Sequence, residues 1–120
     1  RAHLAVHVYL GIKYHEDGAN RFRIETTCGV LEEIGHNVTC VFRDQESWGA
    51  RIFPPTELMT RTFEMIDNSE RVLIDLTEKG VGLGIEASYT RAKDKRVLTI
   101  AQAGSGISAG LPGISTAVVP

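Results

Sequence analysis

The sequence predicts an α/β domain in which a parallel sheet of five strands is covered by helices on both faces. Short aliphatic runs alternate with longer segments whose apolar residues recur at helical spacing. Because neighbouring parallel strands must be joined by long crossovers, this alternation favours a parallel sheet over hairpins. The crossovers can be right-handed, and we expect the strand order 2-1-3-4-5 of flavodoxin-like sheets.

Five segments have the composition of buried strands. Each is short, rich in β-branched or aliphatic residues, and bounded by glycine or polar residues, which is typical of strands covered on both faces. They are residues 3–11, 37–42, 72–76, 96–100 and 114–119. We place the first strand at the centre of the sheet.

Three helices are predicted between these strands. Residues 21–34 carry an apolar stripe and stop at Gly35, which can adopt the left-handed conformation of a helix end. Residues 56–68 follow two prolines and carry a second apolar stripe. The third helix contains Glu86 and runs to Lys95.

The totals indicate one domain that binds small ligands. The 120 residues are 42% hydrophobic and 23% charged, enough for a single core over residues 1–120. A net charge of −2 provides no basic field for nucleic acid or an anionic membrane. No apolar run reaches the roughly 18 residues of a membrane span, and we expect a cytoplasmic protein. The sequence begins at Arg1 without methionine and ends within a predicted strand, which is consistent with trimming at both ends.

The cysteines form no metal or disulfide pattern. Cys28 and Cys40 are far apart and lack a neighbouring histidine set, so we interpret them as buried thiols of a reducing compartment. We expect neither a metal nor a cofactor. The absence of GxxxxGKS/T and GxGxxG argues against a P-loop enzyme or a dinucleotide-binding fold.

Residues 71–96 are where we expect the chemistry. A buried strand gives way to Gly80, Gly82 and Gly84, whose backbone could approach a sugar hydroxyl, a phosphate or a carboxylate. Glu86 is expected in the first turn of the next helix, where the helix dipole favours an ionised carboxylate suited to a nucleophile or base. A first-turn glutamate is also common simply because it stabilises a helix, so both interpretations stay open here.

Two further loops follow the carboxyl ends of strands, where open α/β sheets bind ligands. The first contains Lys13, Tyr14 and His15, which either line a crevice or form ordinary solvated surface. The second contains Trp48 and Phe53, which either stack on a base or cover the edge of the core.

Three motifs resemble one enzyme family. VYLG at residues 8–11 resembles an IYLAG-type strand end, and LEEIGHNV at residues 31–38 resembles LxxxGHxV. GVGLGIEASY at residues 80–89, followed by KRVL at residues 95–98, resembles GxGxELGYAxxxGKPV. Together they are similar to the nucleoside 2-deoxyribosyltransferase superfamily, which includes 2'-deoxynucleoside 5'-phosphate N-hydrolases and CMP hydrolases. The resemblance covers most of the chain.

The resemblance implies a role for several residues. Glu86 falls on the family's nucleophilic glutamate, which attacks the anomeric carbon and releases the base, and Tyr9 falls where a tyrosine orients it. Ser108 lies where the hydrolases place a serine that reaches a neighbouring subunit's phosphate site, which implies a homodimer or higher homo-oligomer. The substrate-binding positions implied by the motifs also include Gly11, Gly80, Gly82 and Gly84.

The sequence departs from the family pattern at two positions. An aspartate that helps to position the substrate or protonate the leaving base is replaced by Thr62, so the acid role is unassigned. Where transferases have Asp and phosphate-recognising hydrolases have Ser, this chain has Gly80. Asp67, Asp75 and Glu78 are nearby carboxylates that could compensate, although Asp75 is expected to end the third strand and Glu78 to be solvated.

Two hypotheses follow. The first is an enzyme that cleaves the N-glycosidic bond of a nucleoside or nucleoside 5'-monophosphate through Glu86, with hydrolysis favoured over transfer because the loop around Ser108 suits a phosphate. The alternative is a non-catalytic nucleotide-binding or sensing module with the same fold, for which Thr62 and Gly80 argue. Release of free base, lost in Glu86→Ala, distinguishes them.

Overall fold

A parallel sheet whose strands alternate with helices forms the frame of the molecule. The computed structural model describes residues 5–15, 17–78 and 80–101, together with the backbone of residues 117–119. Within these ranges no helix is both long and apolar enough to cross a membrane. The elements are β1 (His7–Ile12), α1 (Arg21–Glu33), β2 (Asn37–Thr39), α2 (Pro55–Asp67), β3 (Arg71–Asp75), α3 (Val81–Ala92) and β4 (Arg96–Ile100).

The four strands are parallel and lie in the order β2-β1-β3-β4. Strand β1 is central, with Tyr9 opposite Thr39 of β2 on one side and Val72 of β3 on the other. The backbone of a short segment, β5 (Ala117–Val119), pairs in parallel with β4. The predicted α/β class and the order 2-1-3-4 are therefore confirmed.

The core consists of two apolar clusters, one on each face of the sheet. On one face α2 and α3 contribute Ile66, Leu83 and Ala87, which pack with Val72, Ile74 and Val97 of the sheet. On the other face α1 contributes Ile24 and Cys28, which pack with Val8, Leu10 and Leu73. Successive strand residues point to opposite faces, so β3 supplies both clusters. Both cysteines are buried and free.

Strand β2 is shorter than the sequence predicts. The expected strand over residues 37–42 ends at Thr39, and a π-helical turn (Val41–Gln45) follows. Asp44 explains the difference, because its carboxylate accepts a hydrogen bond from the Cys40 N–H at 2.9 Å. The Asp44 N–H in turn donates to the Cys40 carbonyl at 2.8 Å. These local bonds compete successfully with continuation of the sheet.

Helix α1 buries a narrower stripe than predicted. Ile24 and Cys28 are fully buried, whereas Phe22 and Ile34 are exposed. Phe22 lies two residues from Ile24, which at about 100° per residue points it to nearly the opposite side of the helix.

Helix α3 begins earlier than predicted. Gly80 is its extended N-cap and Val81 its first residue, so Gly82 and Gly84 lie inside the helix rather than in a loop. Burial of Leu83 and Ala87 against the sheet offsets the weak helix propensity of the two glycines. Glu86 is consequently the sixth helical residue, one turn later than the first-turn position expected from the sequence.

Candidate active site

A cleft of about 470 Å³ opens at the carboxyl end of β1, between the loop after this strand, the turn after β2, and helices α2 and α3. Its volume lies within the usual range of small-molecule sites. This is the crevice expected where the strand order reverses on either side of β1. Both Glu86 and Tyr9 line it, as do Lys13, Tyr14, His15, Gly80 and Gly82.

Glu86 and Tyr9 meet on one side of this cleft. The Tyr9 hydroxyl donates a hydrogen bond to Glu86 Oε1 at 3.1 Å, and the tyrosine is 2% exposed. Tyr9 projects from the central strand and packs in the α2–α3 cluster, which fixes the position of its ring. The pairing predicted from the resemblance is therefore present in the geometry.

The electrostatics differ from the sequence expectation. Burial raises the pKa of Glu86 from 4.5 to about 7, and the hydrogen bond from Tyr9 counteracts part of that rise. The expected stabilisation of the ionised form by the helix dipole does not apply, because the charge effect of a helix end declines within its first turn and Glu86 lies beyond it. Burial and the adjacent Glu86 hold the pKa of Tyr9 well above its ordinary value, so Tyr9 stays a neutral donor.

The bare backbone of Gly11 lies close to the Glu86 carboxyl group. A Cβ atom at Gly11 would lie 2.6 Å from Glu86 Oε1 and 2.7 Å from Ile74 Cδ1. A Cβ at that distance would displace the Glu86 carboxyl group and the end of the Ile74 side chain, so the absence of a Cβ lets the carboxyl group occupy its position. Gly11 therefore lies next to Glu86, and its predicted contact with substrate stays a prediction.

The three glycines of the α3 region occupy different surroundings. Gly80 and Gly82 line the cleft, and a Cβ at Gly82 would lie 3.9 Å from Glu86 Oε2. A Cβ at Gly84 would meet nothing within 4 Å, and Gly84 is not among the cleft-lining residues. Substrate binding by these glycines stays a prediction.

The loop after β1 and the turn after β2 form an aromatic wall of the cleft. Tyr14 stacks on Phe42, with ring centroids 4.4 Å apart, and both line the cleft. Trp48 packs edge-on against Phe42 at 5.8 Å, and the Arg21 guanidinium lies 4.4 Å from the Trp48 ring centroid. Trp48 therefore packs against a residue of this wall. Phe53, the other aromatic residue of the second loop, contacts Arg51 and Arg61 instead.

The rim of the cleft is held by hydrogen bonds between two loops. His15 Nε2 lies 2.8 Å from Glu78 Oε1, and the Asn20 amide donates to Glu78 Oε2 at 3.0 Å. The hydrogen bonds from His15 and Asn20 lower the pKa of Glu78. The rim therefore connects the loop that carries Lys13 to the segment that precedes α3.

The carboxylates named as replacements for the missing aspartate are not among the cleft-lining residues. Asp67 accepts a hydrogen bond from the Tyr89 hydroxyl at 2.9 Å, and Asp75 ends β3, where it pairs with Arg23 at 3.4 Å. Glu78 is occupied at the rim, as described above. Thr62 does line the cleft, but its hydroxyl donates to the Leu58 carbonyl at 2.8 Å.

One acidic residue of the cleft was missed by sequence reasoning. Glu46 lines the cleft and is 6% exposed, with its Oε1 atom buried and lacking a hydrogen-bond partner among the described residues. It belongs to no recognisable motif, and a glutamate in a polar loop is normally solvated. Only its position after the carboxyl end of β2 could have marked it.

Two predictions about ligands stay predictions. Ser108 lies outside the described residues, so its predicted phosphate contact stays a prediction. Within the described ranges, no three His, Cys, Asp or Glu side chains are grouped as a metal site would require.

Comparison with known proteins places the fold. No protein-family model matches the sequence, and no curated protein does. Among solved structures, a 2-deoxyribosyltransferase from Bacillus psychrosaccharolyticus superposes with a TM-score of 0.76 at 16% identity, over 95% of this chain and 85% of that one.

Two further structures agree with it. A 2-desoxiribosyltransferase from Leishmania mexicana has a TM-score of 0.65 at 16% identity, over 88% of this chain and 76% of that one. A CMP N-glycosidase from Clostridium botulinum has a TM-score of 0.66 at 19% identity, over 94% of this chain and 86% of that one. The chain therefore has the fold of these 2-deoxyribosyltransferases and this N-glycosidase, and the resemblance found in its motifs is confirmed at the level of the fold.

Proposed function

We propose that this protein is a divergent nucleoside 2-deoxyribosyltransferase-like enzyme that cleaves the N-glycosidic bond of a nucleoside or nucleoside 5'-monophosphate. The observation that carries the proposal is the Glu86 carboxyl group, hydrogen-bonded by Tyr9 at 3.1 Å beside a cleft of nucleotide size. The fold shared with two deoxyribosyltransferases and a CMP N-glycosidase supports it. In this account the full chain forms the five-stranded flavodoxin-like sheet and works as a homodimer or higher homo-oligomer.

The first step uses the ionised form of Glu86. A carboxylate oxygen forms a bond to the anomeric carbon while the bond from this carbon to the base nitrogen breaks. The nitrogen keeps the bonding electron pair, and the base takes up one proton as it leaves. Tyr9 acts as a positioning residue, because its hydroxyl holds Oε1 and so fixes which oxygen faces the sugar.

The second step resolves the glycosyl ester. Water attacks the anomeric carbon, the sugar gains a hydroxyl group, the remaining proton is released, and Glu86 returns to its carboxylate form. A second base in place of water would give transfer instead. We favour hydrolysis, since Gly80 provides no side chain where transferases have an aspartate and the serine at position 108 suits a phosphate.

The walls of the cleft suit the two ends of a nucleotide. Tyr14 and Phe42 offer aromatic surface on which a base can stack, a contact worth about 1 to 3 kcal/mol per base. Lys13 offers a cation near Gly80, where an added Cβ would lie 3.8 Å from Lys13 Cδ. A 5'-phosphate would therefore lie between Lys13 and the start of α3.

The test is release of free base from a panel of nucleosides and their 5'-monophosphates, followed by chromatography. We expect release from at least one substrate by the wild type, a loss of at least about 1,000-fold in Glu86→Ala, and no loss in Glu64→Ala on the exposed side of α2. Ligand-induced stabilisation without release of any base would instead support the non-catalytic module.

A further inference from the structure

The segment after β2 holds Glu46 in a fixed and strained backbone. The Glu46 N–H donates to the Val41 carbonyl at 3.0 Å, and the Glu46 carbonyl accepts from Gly49 at 3.0 Å and Arg51 at 2.9 Å. The next two residues, Ser47 and Trp48, adopt left-handed φ values of 48° and 59°. A left-handed backbone is strained for a residue that carries a Cβ atom, and strain of this kind is concentrated at functional sites.

One oxygen of the Glu46 carboxyl group has no hydrogen-bond partner among the described residues. Glu46 is 6% exposed, it lines the same cleft as Glu86, and the oxygen without a partner in the described part of the chain is its buried Oε1. Arg61, which reaches the adjacent Gln45 at 2.8 Å, is already bound to Glu57 at 2.9 Å. Burial of a carboxylate oxygen without a cation or donor penalises the ionised form, which favours the neutral form of Glu46.

A neutral carboxylic acid has a specific use in this cleft. It can give a proton to an acceptor nitrogen of the leaving base. This role has no residue so far, because Thr62 replaces the expected aspartate and its hydroxyl donates to the Leu58 carbonyl. The direction of its pKa shift agrees with this use, because burial raises the pKa of Glu46. The other ionisable side chains that line the cleft are Tyr9, Lys13, Tyr14, His15, Cys40 and Glu86.

We propose that Glu46 is the general acid that protonates the leaving base, which makes the enzyme selective for bases with a basic ring nitrogen, such as cytosine or adenine. This inference rests on the proposed function. For cytosine, the Glu46 O–H bond breaks as a proton passes to the ring nitrogen beside the amino group, while the nitrogen bound to the sugar keeps the electron pair of the broken glycosidic bond. Cytosine thus leaves as a neutral tautomer, and the resulting Glu46 carboxylate recovers a proton when water resolves the Glu86 ester.

Glu46→Gln provides the sharpest variant. The amide keeps the size of the side chain and its ability to donate and accept hydrogen bonds, but it cannot give up a proton at neutral pH. Glu46→Met, an apolar side chain of similar length, serves as a second variant, and Glu64→Gln on the exposed side of α2 is the matched control. Thermal unfolding establishes that each variant is folded.

The experiment compares two leaving groups attached to the same sugar 5-phosphates, in the ribose and deoxyribose series. The first is cytosine, in CMP and dCMP, and the second is 4-nitrophenolate, which departs without protonation. We expect Glu46→Gln to slow cytosine release by about 100- to 10,000-fold and 4-nitrophenolate release by less than about 3-fold. Uridine nucleotides, which lack a basic ring nitrogen, should be poor substrates for the wild type.

The outcomes separate this inference from the proposed function. Cytosine release at the wild-type rate by both Glu46 variants, or equal losses with both leaving groups, overturns the role of Glu46 and leaves the proposed function intact. A wild type that releases neither base nor 4-nitrophenolate from any substrate overturns both. Selective loss with cytosine, in a folded variant, supports the general acid.

Discussion

Two carboxyl groups line one cleft and are held in opposite ways. Glu86 stands on a regular helix, has the Tyr9 hydroxyl as a donor, and lies against the bare backbone of Gly11. Glu46 stands between two irregular turns and has no partner for Oε1 among the described residues. Burial raises the pKa of both groups, but only Glu86 has a hydrogen bond that opposes the rise.

The difference is consistent with the two proposed chemical roles. A nucleophile must be ionised near neutral pH, and a donor that stabilises the ionised form serves that need. A general acid must keep its proton until the transition state, and the absence of a donor to Glu46 Oε1 among the described residues serves that need. Two carboxyl groups in different surroundings, one as nucleophile and one as acid, are the expected arrangement for glycosidic bond cleavage.

Among the tests of this comparison, the largest expected effect is the loss of base release when the close contact between Gly11 and Glu86 is broken. The Cβ of Gly11→Ala would lie 2.6 Å from Glu86 Oε1, so the carboxyl group must move away. We expect base release to fall at least about 100-fold with every leaving group, as measured by chromatography, because misplacement by about 1 Å is enough for such a loss. Gly29→Ala in α1, whose Cβ would meet nothing within 4 Å, is the control and should retain full activity. Full activity in Gly11→Ala would show that Glu86 needs no fixed position.

The second prediction concerns the free energy of unfolding and how the ionisation of Glu86 makes it depend on pH. The pKa of Glu86 is about 7 in the folded protein and 4.5 when unperturbed, so its stabilising contribution is complete below about pH 4.5 and is lost as the pH rises through 7. Glu86→Gln removes the buried charge. We expect this variant to unfold like the wild type at pH 4 and to be more stable by about 3 kcal/mol at pH 8.

Chemical denaturation at the two pH values measures this difference. Glu64→Gln, at an exposed position of the same chain, controls for the loss of one negative charge. An advantage of Glu86→Gln that is the same at both pH values would contradict the raised pKa.

The smallest effect tests the hydrogen bond that distinguishes the two carboxyl groups. Tyr9→Phe removes the donor and makes Glu86 resemble Glu46. The pKa of Glu86 should rise further, which moves the acidic limb of the kcat/KM profile up by about 1 pH unit and lowers activity at pH 7 about fivefold. Recovery at higher pH would identify Tyr9 as a positioning residue, whereas a uniform loss at all pH values would point to damaged packing.

The sequence predicts the surroundings of Glu86 much better than those of Glu46. The apolar runs give β3 and β4 nearly residue by residue. The resemblance of the VYLG and glycine-rich motifs to one family pairs Tyr9 with Glu86, and these two residues are hydrogen-bonded in the structure. The sequence pattern misplaces the start of α3, because Gly82 and Gly84 are typical of a loop. Packing of Leu83 and Ala87 against the sheet keeps these glycines in the helix. Local pattern carries no information about that tertiary contact.

Glu46 could not be predicted from local pattern at all. The strand-like residues 41 and 42 enter a π-helical turn because Asp44 binds the Cys40 N–H, and this turn is what directs residue 46 to the cleft. The burial of its side chain depends on the turn after β2 and helix α2 coming together around one cleft, which only the folded chain reveals.

The most direct test of the central claim is to trap the glycosyl ester. The wild type and Glu86→Gln are mixed with a cleavable nucleotide from the panel, quenched in acid within one turnover, and analysed by intact-protein and peptide mass spectrometry. The account predicts a wild-type adduct with the mass of the sugar phosphate, located on Glu86 and absent from Glu86→Gln. An adduct on another residue, or release of base at the wild-type rate by Glu86→Gln, would contradict it.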